Sequence, residues 1–523
     1  MIKIITTIIL SIFFIGCGGD TKKSNTLNKY NDGNYTKVSL SGQITYDLVP
    51  ANPNHLGLDY DSIRHEPSRW ITLEAIDDHN ILIEKTSTDL SGHYHFNKIP
   101  INTKVKIRIL ALINKNGIAK VVDNTKNNSL YVVDGSLVDS GSKNTSRDIN
   151  IPSGWMGANY NSIRSAAPFA ILGSVQKAMK LVIDASPSVS FSNLNINWSK
   201  NNIAYSGDAS SGKIGTSHYI NNNLYILGDE NGDTDEYDDH VIAHEWGHYY
   251  IDKLSRSDSI GGAHGLGEFL DIRVAFSEGF GNAFSAMAHH NPIYFDSMFE
   301  GQSSGMKMDI EHGTESNPGW FSEASVQHIL YDLFDDNQDS ADTINLGFKP
   351  LHQVFTNQQK DALSFTSIFS FITYLKTNHQ EISTGIDALL ESENIATIGD
   401  IYGHGRNNHM DYYPYNTMTV GETANITIRK SFGTKNKLGN RHYVKFNIPS
   451  QGQYKIKIMQ TSGSENSAVS ILFKAEPKFE RLGYSSKTTR VIILNPGNYL
   501  LEVYDKNKYS SSEASYNITI SAN

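Results

Sequence analysis

Apolar and polar positions change their rhythm several times along this chain. Residues 4–15 form a nearly unbroken apolar run behind a single Lys3. Such a run is too short to cross a bilayer comfortably, but it suits the hydrophobic stretch of an export signal. Residues 18–36 (GGDTKKSNTLNKYNDGNYT) carry almost no aliphatic side chains and read as a flexible tether. From 37 to 150, short runs such as KVSLSGQITY, WITLEAID, HYHFNKI and KVKIRILALI alternate apolar and polar residues, with turn signals such as DLSG at 89–92 between them. A period of two puts the apolar side chains on one face of a strand and predicts a β-sandwich over 37–150.

A helical period takes over in the region 153–412, at 165–183, 238–253, 269–288, 322–335 and 361–376. Two strand-like runs, LNINW (194–198) and LYILG (224–228), precede the second of these helices. This order predicts an α+β domain with its helices gathered late. Residues 415–523 return to strand-like runs (VKFNI, QYKIKIM, AVSILFK, RVIILN, NYLLEVYD) and predict a second β-sandwich. No internal repeat suggests a solenoid.

Composition narrows the function classes. Across 523 residues, 39% are hydrophobic and 19% charged, which excludes wholesale disorder. The net charge of −10 comes without a long basic run, so neither nucleic acid nor a polybasic membrane surface is an expected partner. The single cysteine, Cys17, excludes an internal disulfide and any metal site built on several thiolates. Cys17 follows Phe14-Ile15-Gly16 at the end of the apolar run. This resembles a bacterial lipoprotein signal, with Phe14 where a Leu is usual. The resemblance implies a signal peptide over 1–16, lipidation of Cys17 and an anchor in the outer membrane or at the cell surface. The alternative is a plain signal peptide with an incidental cysteine.

The chemistry concentrates at His244-Glu245-Trp246-Gly247-His248 in YDDHVIAHEWGHYY. Histidines at i and i+4 share one helix face, so both imidazoles can reach one metal ion. Glu245 projects about 100° further round the helix, where it can take a proton from a metal-activated water. Composition alone would give about 0.03 such motifs in a chain like this. Asp238 and Asp239 stand where they could cap the helix. A catalytic zinc needs a third protein ligand. Glu278 supplies one, in DIRVAFSEGFGNAFS, amid Val274, Phe280, Phe284 and Met287. A carboxylate on so apolar a helix is costly unless paired or bound to metal. Gly279 and Gly281 allow another backbone close, with the HExxH helix the expected neighbour.

These residues resemble the gluzincin zinc metallopeptidases, the group with HExxH and a downstream Glu, over roughly the central half of the chain. The resemblance implies a thermolysin-like α+β domain flanked by the two β-sandwiches, one Zn2+ held by His244, His248 and Glu278, Glu245 as general base, and a peptide or protein substrate. Thermolysin-like enzymes carry an Asn before the third ligand and an Asp four residues after it. Here those positions are Ser277 and Asn282, and Asn282 can still accept a hydrogen bond from a ligand histidine. A Gly-x-Met-Glu-Asn segment is missing, which favours an endopeptidase over an aminopeptidase. The run LYILGDENGDTDEYDD resembles the edge strand and loop beside such sites.

An oxyanion donor is also required. Tyr331 is the first choice, with His328, His312 and His264 as alternatives, although a tyrosine so placed more often caps a core. STDLSGHYHFNKIP resembles the carboxypeptidase regulatory-like module, and PGNYLLEVYD the pre-peptidase C-terminal domain. Both imply accessory modules. His93 and His95 share a strand face, expected to be solvent-facing. Arg273 is expected to pair with Asp271 or Glu268 in a structural role. The acidic runs at 229–239 and 335–342 suggest Ca2+ loops but lack the EF-hand Gly and Glu, so solvated turns are expected instead. The competing function is a non-catalytic surface-binding lipoprotein carrying a relic of a peptidase domain.

Overall fold

The computed structural model describes residues 30, 34–313, 316–336, 343–403, 413–429, 433, 435–463, 467–506 and 513–523. The expected signal, Cys17 and most of the tether lie outside the described residues, as does 337–342 of the second acidic run. The fold is multi-sheet and β-rich, with helices grouped in the middle of the chain. Among the described residues no helix is long and apolar enough to cross a membrane.

The largest sheet has ten strands. Its main path runs His218–Ile220, Asn223–Ile226, Leu194–Trp198, Ile118–Asp123, Lys104–Asn114, Ile71–Asp77 and Leu82–Ser87. The first three strands come from the region read as the peptidase domain, the last four from the region read as a separate sandwich. The seam is the parallel pairing of Ile118–Asp123 with Leu194–Trp198, with Val121 opposite Ile196. The expected division at 150–153 is therefore crossed by one continuous sheet. Alternation marks a segment as a strand, but the partner that satisfies its backbone can be any strand in the chain. Parallel strands need a crossover. Here it includes α1 (Ala167–Ala185), which packs on the sheet strands Lys104–Asn114 and Ile118–Asp123 and buries Phe169, Ile171, Leu172 and Val175 in the shared core.

The other helices are α2 (Asp239–Lys253), α3 (Ile272–His289), α4 (Glu323–Asp332), α5 (Phe348–Val354), α6 (Ile368–Asn378) and α7 (Ser383–Ser392). α3 is buried on every side from Ile272 to Ala288, as an all-round apolar helix must be, and sits between α2 and α4. Asp271 caps its start by accepting from the Arg273 backbone N–H. α6 begins seven residues later than its periodicity predicts. The preceding carbonyls of Lys360, Ala362 and Ser364 are taken by the Arg256 guanidinium instead of by helical N–H groups, and a Ser367 capping box starts the helix.

The C-terminal region forms two sheets around their own core of Ile426, Phe446, Ile456, Leu472, Leu501 and Tyr516. Its Arg441–Ile448 and Gly497–Asp505 strands dock on α3. Arg273 pairs with Asp271 at 3.0 Å and with Glu502 at 3.1 Å. Arg441 also pairs with Glu502, and the Tyr443 hydroxyl donates to Asp271 at 2.6 Å. All five side chains are buried, so each charge is matched. Arg273 is thus paired as expected with Asp271, whereas Glu268 pairs with Lys437. His93 and His95 are exposed on their strand.

Candidate metal centre

α2 and α3 cross where both have glycine. A Cβ on Gly247 would stand 3.4 Å from the Gly281 Cα, and a Cβ on Gly281 would lie 2.8–3.0 Å from three atoms of the His244 ring. The expectation for Gly281 holds in part, since it is the His244 side chain that fills the space. Gly279 faces α4, with the Glu323 carbonyl oxygen and Val326 at 2.6 Å from where its Cβ would be. The two glycines therefore seat α3 against two different helices.

This packing brings three ligand-type groups together. His248 Nε2 lies 3.0 Å from His244 Nε2, and Glu278 Oε2 lies 3.4 Å from His244 Nε2 and 3.2 Å from His248 Nε2. Tetrahedral zinc with bonds of about 2.0–2.2 Å sets neighbouring ligand atoms about 3.3–3.6 Å apart. The protonation pattern also suits a cation. His244 Nδ1 donates to Asn282 Oδ1 at 2.7 Å, and the Asn282 amide is oriented by donating to Gln327 Oε1 at 2.9 Å. A neutral His244 then presents a lone pair at Nε2. His248 Nδ1 is 3.3 Å from Ser277 Oγ, so its Nε2 faces the same point. Two such lone pairs repel unless a proton or a metal lies between them. The residues present fit zinc.

The electrostatics separate the two glutamates. Burial alone would raise Glu278, but when the two histidines carry protons at Nε2 in place of a metal, the charge of His248 and hydrogen bonds from both hold it well below the ordinary carboxylate range. Glu245 lies with its carboxylate within 4.8 Å of both ring nitrogens. Desolvation, partly offset by His244, pushes it up to about 7. That places a proton acceptor and donor near neutral pH.

His264 completes the centre. Its Nε2 is 3.4 Å from Glu278 Oε2 and its Nδ1 is 2.8 Å from Glu323 Oε2, at the start of α4. Burial would lower its pKa, but the Glu323 hydrogen bond and the charges of Glu278, Glu323 and Glu245 push it up to about 9. Tyr331, the first choice from sequence, stands elsewhere. It is buried beside Phe334, its hydroxyl pushed above the ordinary tyrosine range by burial and then by Asp335, Glu311 and Asp309, and it is no part of the cleft wall. The helix that carries it reaches the centre through its first residue, Glu323, rather than through its last turn. His328 is buried against Glu393, and His312 lies beside Asp309 and Glu311. Of the alternatives, only His264 reaches the site. The C-terminal region holds its loop: Asn436 and Lys437 both donate to the Ala263 carbonyl at 2.8 Å.

A cleft of about 980 Å³ opens over these groups. The edge of the large sheet, His218–Ile220, lines it, and the Tyr219 backbone hydrogen-bonds to Glu245. The edge strand is therefore His218–Ile220, since the expected one, Asn223–Ile226, is covered by it through antiparallel pairing. Sequence reading overlooked His218–Ile220 because three residues are too few to show a period. The acidic run at 229–239 also differs from expectation. Asp235 and Asp238 are buried rather than solvated. Asp238, the residue before α2, makes no cap and accepts instead from Ser297.

No family model and no curated protein matches the chain. Among solved structures, it is similar to the pre-peptidase C-terminal domain of collagenase from Bacillus anthracis, at 17% identity and a TM-score of 0.17, over 22% of this chain and 99% of that one. It is also similar to the precursor of protealysin, a metalloproteinase from Serratia proteamaculans, at 8% identity and a TM-score of 0.29, over 52% of this chain and 85% of that one. These scores are too low to bear on fold or activity.

Proposed function

We propose that the chain is a zinc-dependent peptidase of gluzincin type with a thermolysin-like catalytic domain, exported and anchored through Cys17. The observation that carries the reading is the triangle of His244 Nε2, His248 Nε2 and Glu278 Oε2, with sides of 3.0, 3.2 and 3.4 Å. Zinc held there would supply Lewis acidity for a scissile carbonyl and a lowered pKa for the attacking water. Glu245, poised near neutral, accepts that water's proton and returns it to the leaving amine. His264, kept protonated by Glu323, donates to the oxygen on which negative charge develops. The His218–Ile220 strand lies at the edge of the large sheet along the cleft, where an extended peptide can add beside it, which suits cleavage within a chain.

Zinc content is the first test, because it needs no guess about substrate. Wild type is expected to hold about one zinc, His248→Ala and Glu278→Gln to lose it, and Glu245→Gln to keep it while losing hydrolysis. A wild type that takes up no zinc, or variants at both ligands that keep it, would overturn the reading and favour the non-catalytic binding protein.

A further inference from the structure

The resemblance of the C-terminal β region to a pre-peptidase C-terminal domain casts it as an accessory module. Its contacts reach the metal centre instead. His264 lies in a loop, GGAHGLG at 261–267, with four glycines among seven residues. Three of them, Gly261, Gly262 and Gly267, have positive φ. Glycine loses more conformational freedom on ordering than any other residue, so this loop is held by what surrounds it. Glu323 holds the His264 ring at Nδ1, 2.8 Å away. The backbone from which the ring extends is held from the C-terminal region. The Ala263 carbonyl accepts from Asn436 Nδ2 and from Lys437 Nζ, each at 2.8 Å. The Asn436 side chain lies against Gly262, where an added Cβ would stand 2.9 Å from its Nδ2. Past the loop, Asp271 N donates to the Asn436 carbonyl at 2.8 Å and Leu438 N to the Phe269 carbonyl at 2.9 Å, pairing the two segments as a short bridge of strand.

Lys437 is 6% exposed. A lysine serving only a surface ion pair would keep its ammonium in water. This one is buried, with Glu268 Oε2 at 2.5 Å on one side and the Ala263 carbonyl on the other. A hydrogen bond from a charged donor is roughly twice as strong as a neutral one, so it is an effective clamp on that carbonyl. The same C-terminal region grips the start of α3 through Glu502, Arg441 and Tyr443. The donor loop and the helix that bears Glu278 are thus referenced to one body, with His264 Nε2 3.4 Å from Glu278 Oε2. We propose that the C-terminal β region is a working part of the catalytic centre, in which Lys437, helped by Asn436, is a positioning residue that holds His264 over the zinc-type ligands. The proposal rests on the reading of His264 as donor to the developing oxyanion. Ala263 and His264 line the cleft but Asn436 and Lys437 do not, so their effect on turnover passes through the loop.

The test compares the full chain with Lys437→Met, which keeps the apolar stem but loses both hydrogen bonds, and with Asn436→Ala. Turnover is read with an internally quenched peptide selected from a mixed-sequence library by wild-type cleavage. In Lys437→Met, kcat is expected to fall about 10–100-fold, the scale of a group misplaced by about 1 Å. KM should stay within about threefold, and zinc affinity should not change. In a His264→Ala background the same substitution should cost less than about threefold, because the group it positions is gone. A structural role alone would cost as much in both backgrounds. Hydrogen exchange reads the clamp without any activity: amides of 261–268 should exchange about tenfold faster in Lys437→Met. Should that variant fail to fold, Asn436→Ala, which keeps the ammonium, decides through smaller changes in the same sense. An unchanged kcat, a loss that persists in the His264→Ala background, or unchanged exchange in the loop would overturn the proposal. A wild type that binds no zinc and cleaves no peptide would overturn the peptidase reading itself, a different failure, since the exchange comparison then still decides whether Lys437 holds the loop.

Discussion

Alanine at position 281 tests how α2 and α3 build the metal centre. The added Cβ would lie 2.8 Å from Cε1 and Nδ1 of His244 and 3.0 Å from its Nε2. Comfortable contacts begin near 3.5 Å, so the ring must retreat by about 0.5–0.7 Å. It cannot do so freely, because Nδ1 is held by Asn282 at 2.7 Å. Metal–ligand distances tolerate only about 0.2 Å. Zinc affinity should therefore fall about 10–100-fold, the scale of damage seen when a ligand's support is lost. Without metal the same change should be close to neutral, since alanine favours a helix interior over glycine by about 1 kcal/mol. Two neighbours give the contrast. At Gly247 the nearest atoms to an added Cβ are at 3.4 and 3.5 Å, so Gly247→Ala should leave zinc binding intact. At Gly279 the obstacle is the Glu323 backbone at 2.6 Å, so Gly279→Ala should destabilise the metal-free chain by about 1–3 kcal/mol. Zinc affinity would be read by competition with a chromophoric chelator, and stability by urea unfolding in excess chelator. A Gly281→Ala protein whose zinc affinity stays within about threefold of wild type, roughly 0.6 kcal/mol, would refute the argument.

Glu323→Gln removes the partner that keeps His264 protonated, so the histidine's pKa should drop. Activity that needs the protonated donor should then lose its alkaline limb at lower pH, with kcat falling more than KM rises; a pH–rate profile that does not move would remove His264 from the mechanism. The acidic cluster of Asp233, Asp235 and Asp296 makes a prediction with the opposite sense. Asp296 has a folded pKa raised to about 7, against about 3.9 when unfolded. Between those values the folded chain holds a proton that the unfolded chain has released, so stability should fall as pH rises, by up to about 1.4 kcal/mol per unit from this group. Above that window the loss is complete. Comparing wild type with Asp296→Asn across the window isolates the group, and a difference that grows in favour of wild type with rising pH would contradict it.

What could be read directly from the sequence was set by neighbours a few residues apart. His244 and His248 share a face because of helical geometry, and α2, α3 and most strands begin and end near where their periodicity places them. Glu278 stood out because a carboxylate among Phe and Val side chains needs a reason to be there. Partners far apart in the chain were decided by the tertiary structure. His264 and Glu323 are 59 positions apart and meet only because Gly279 lets α4 close on α3. Ile118–Asp123 looks like any half-buried strand, yet its pairing with Leu194–Trp198 joins two regions that composition and rhythm keep separate. The acidic run before α2 looks like a solvated turn until the Ile293–Met298 strand covers it and adds Asp296. A local pattern records which face a residue turns inward. Which groups await it there depends on hydrogen bonds and contacts made across the whole chain, where no period links the residues concerned.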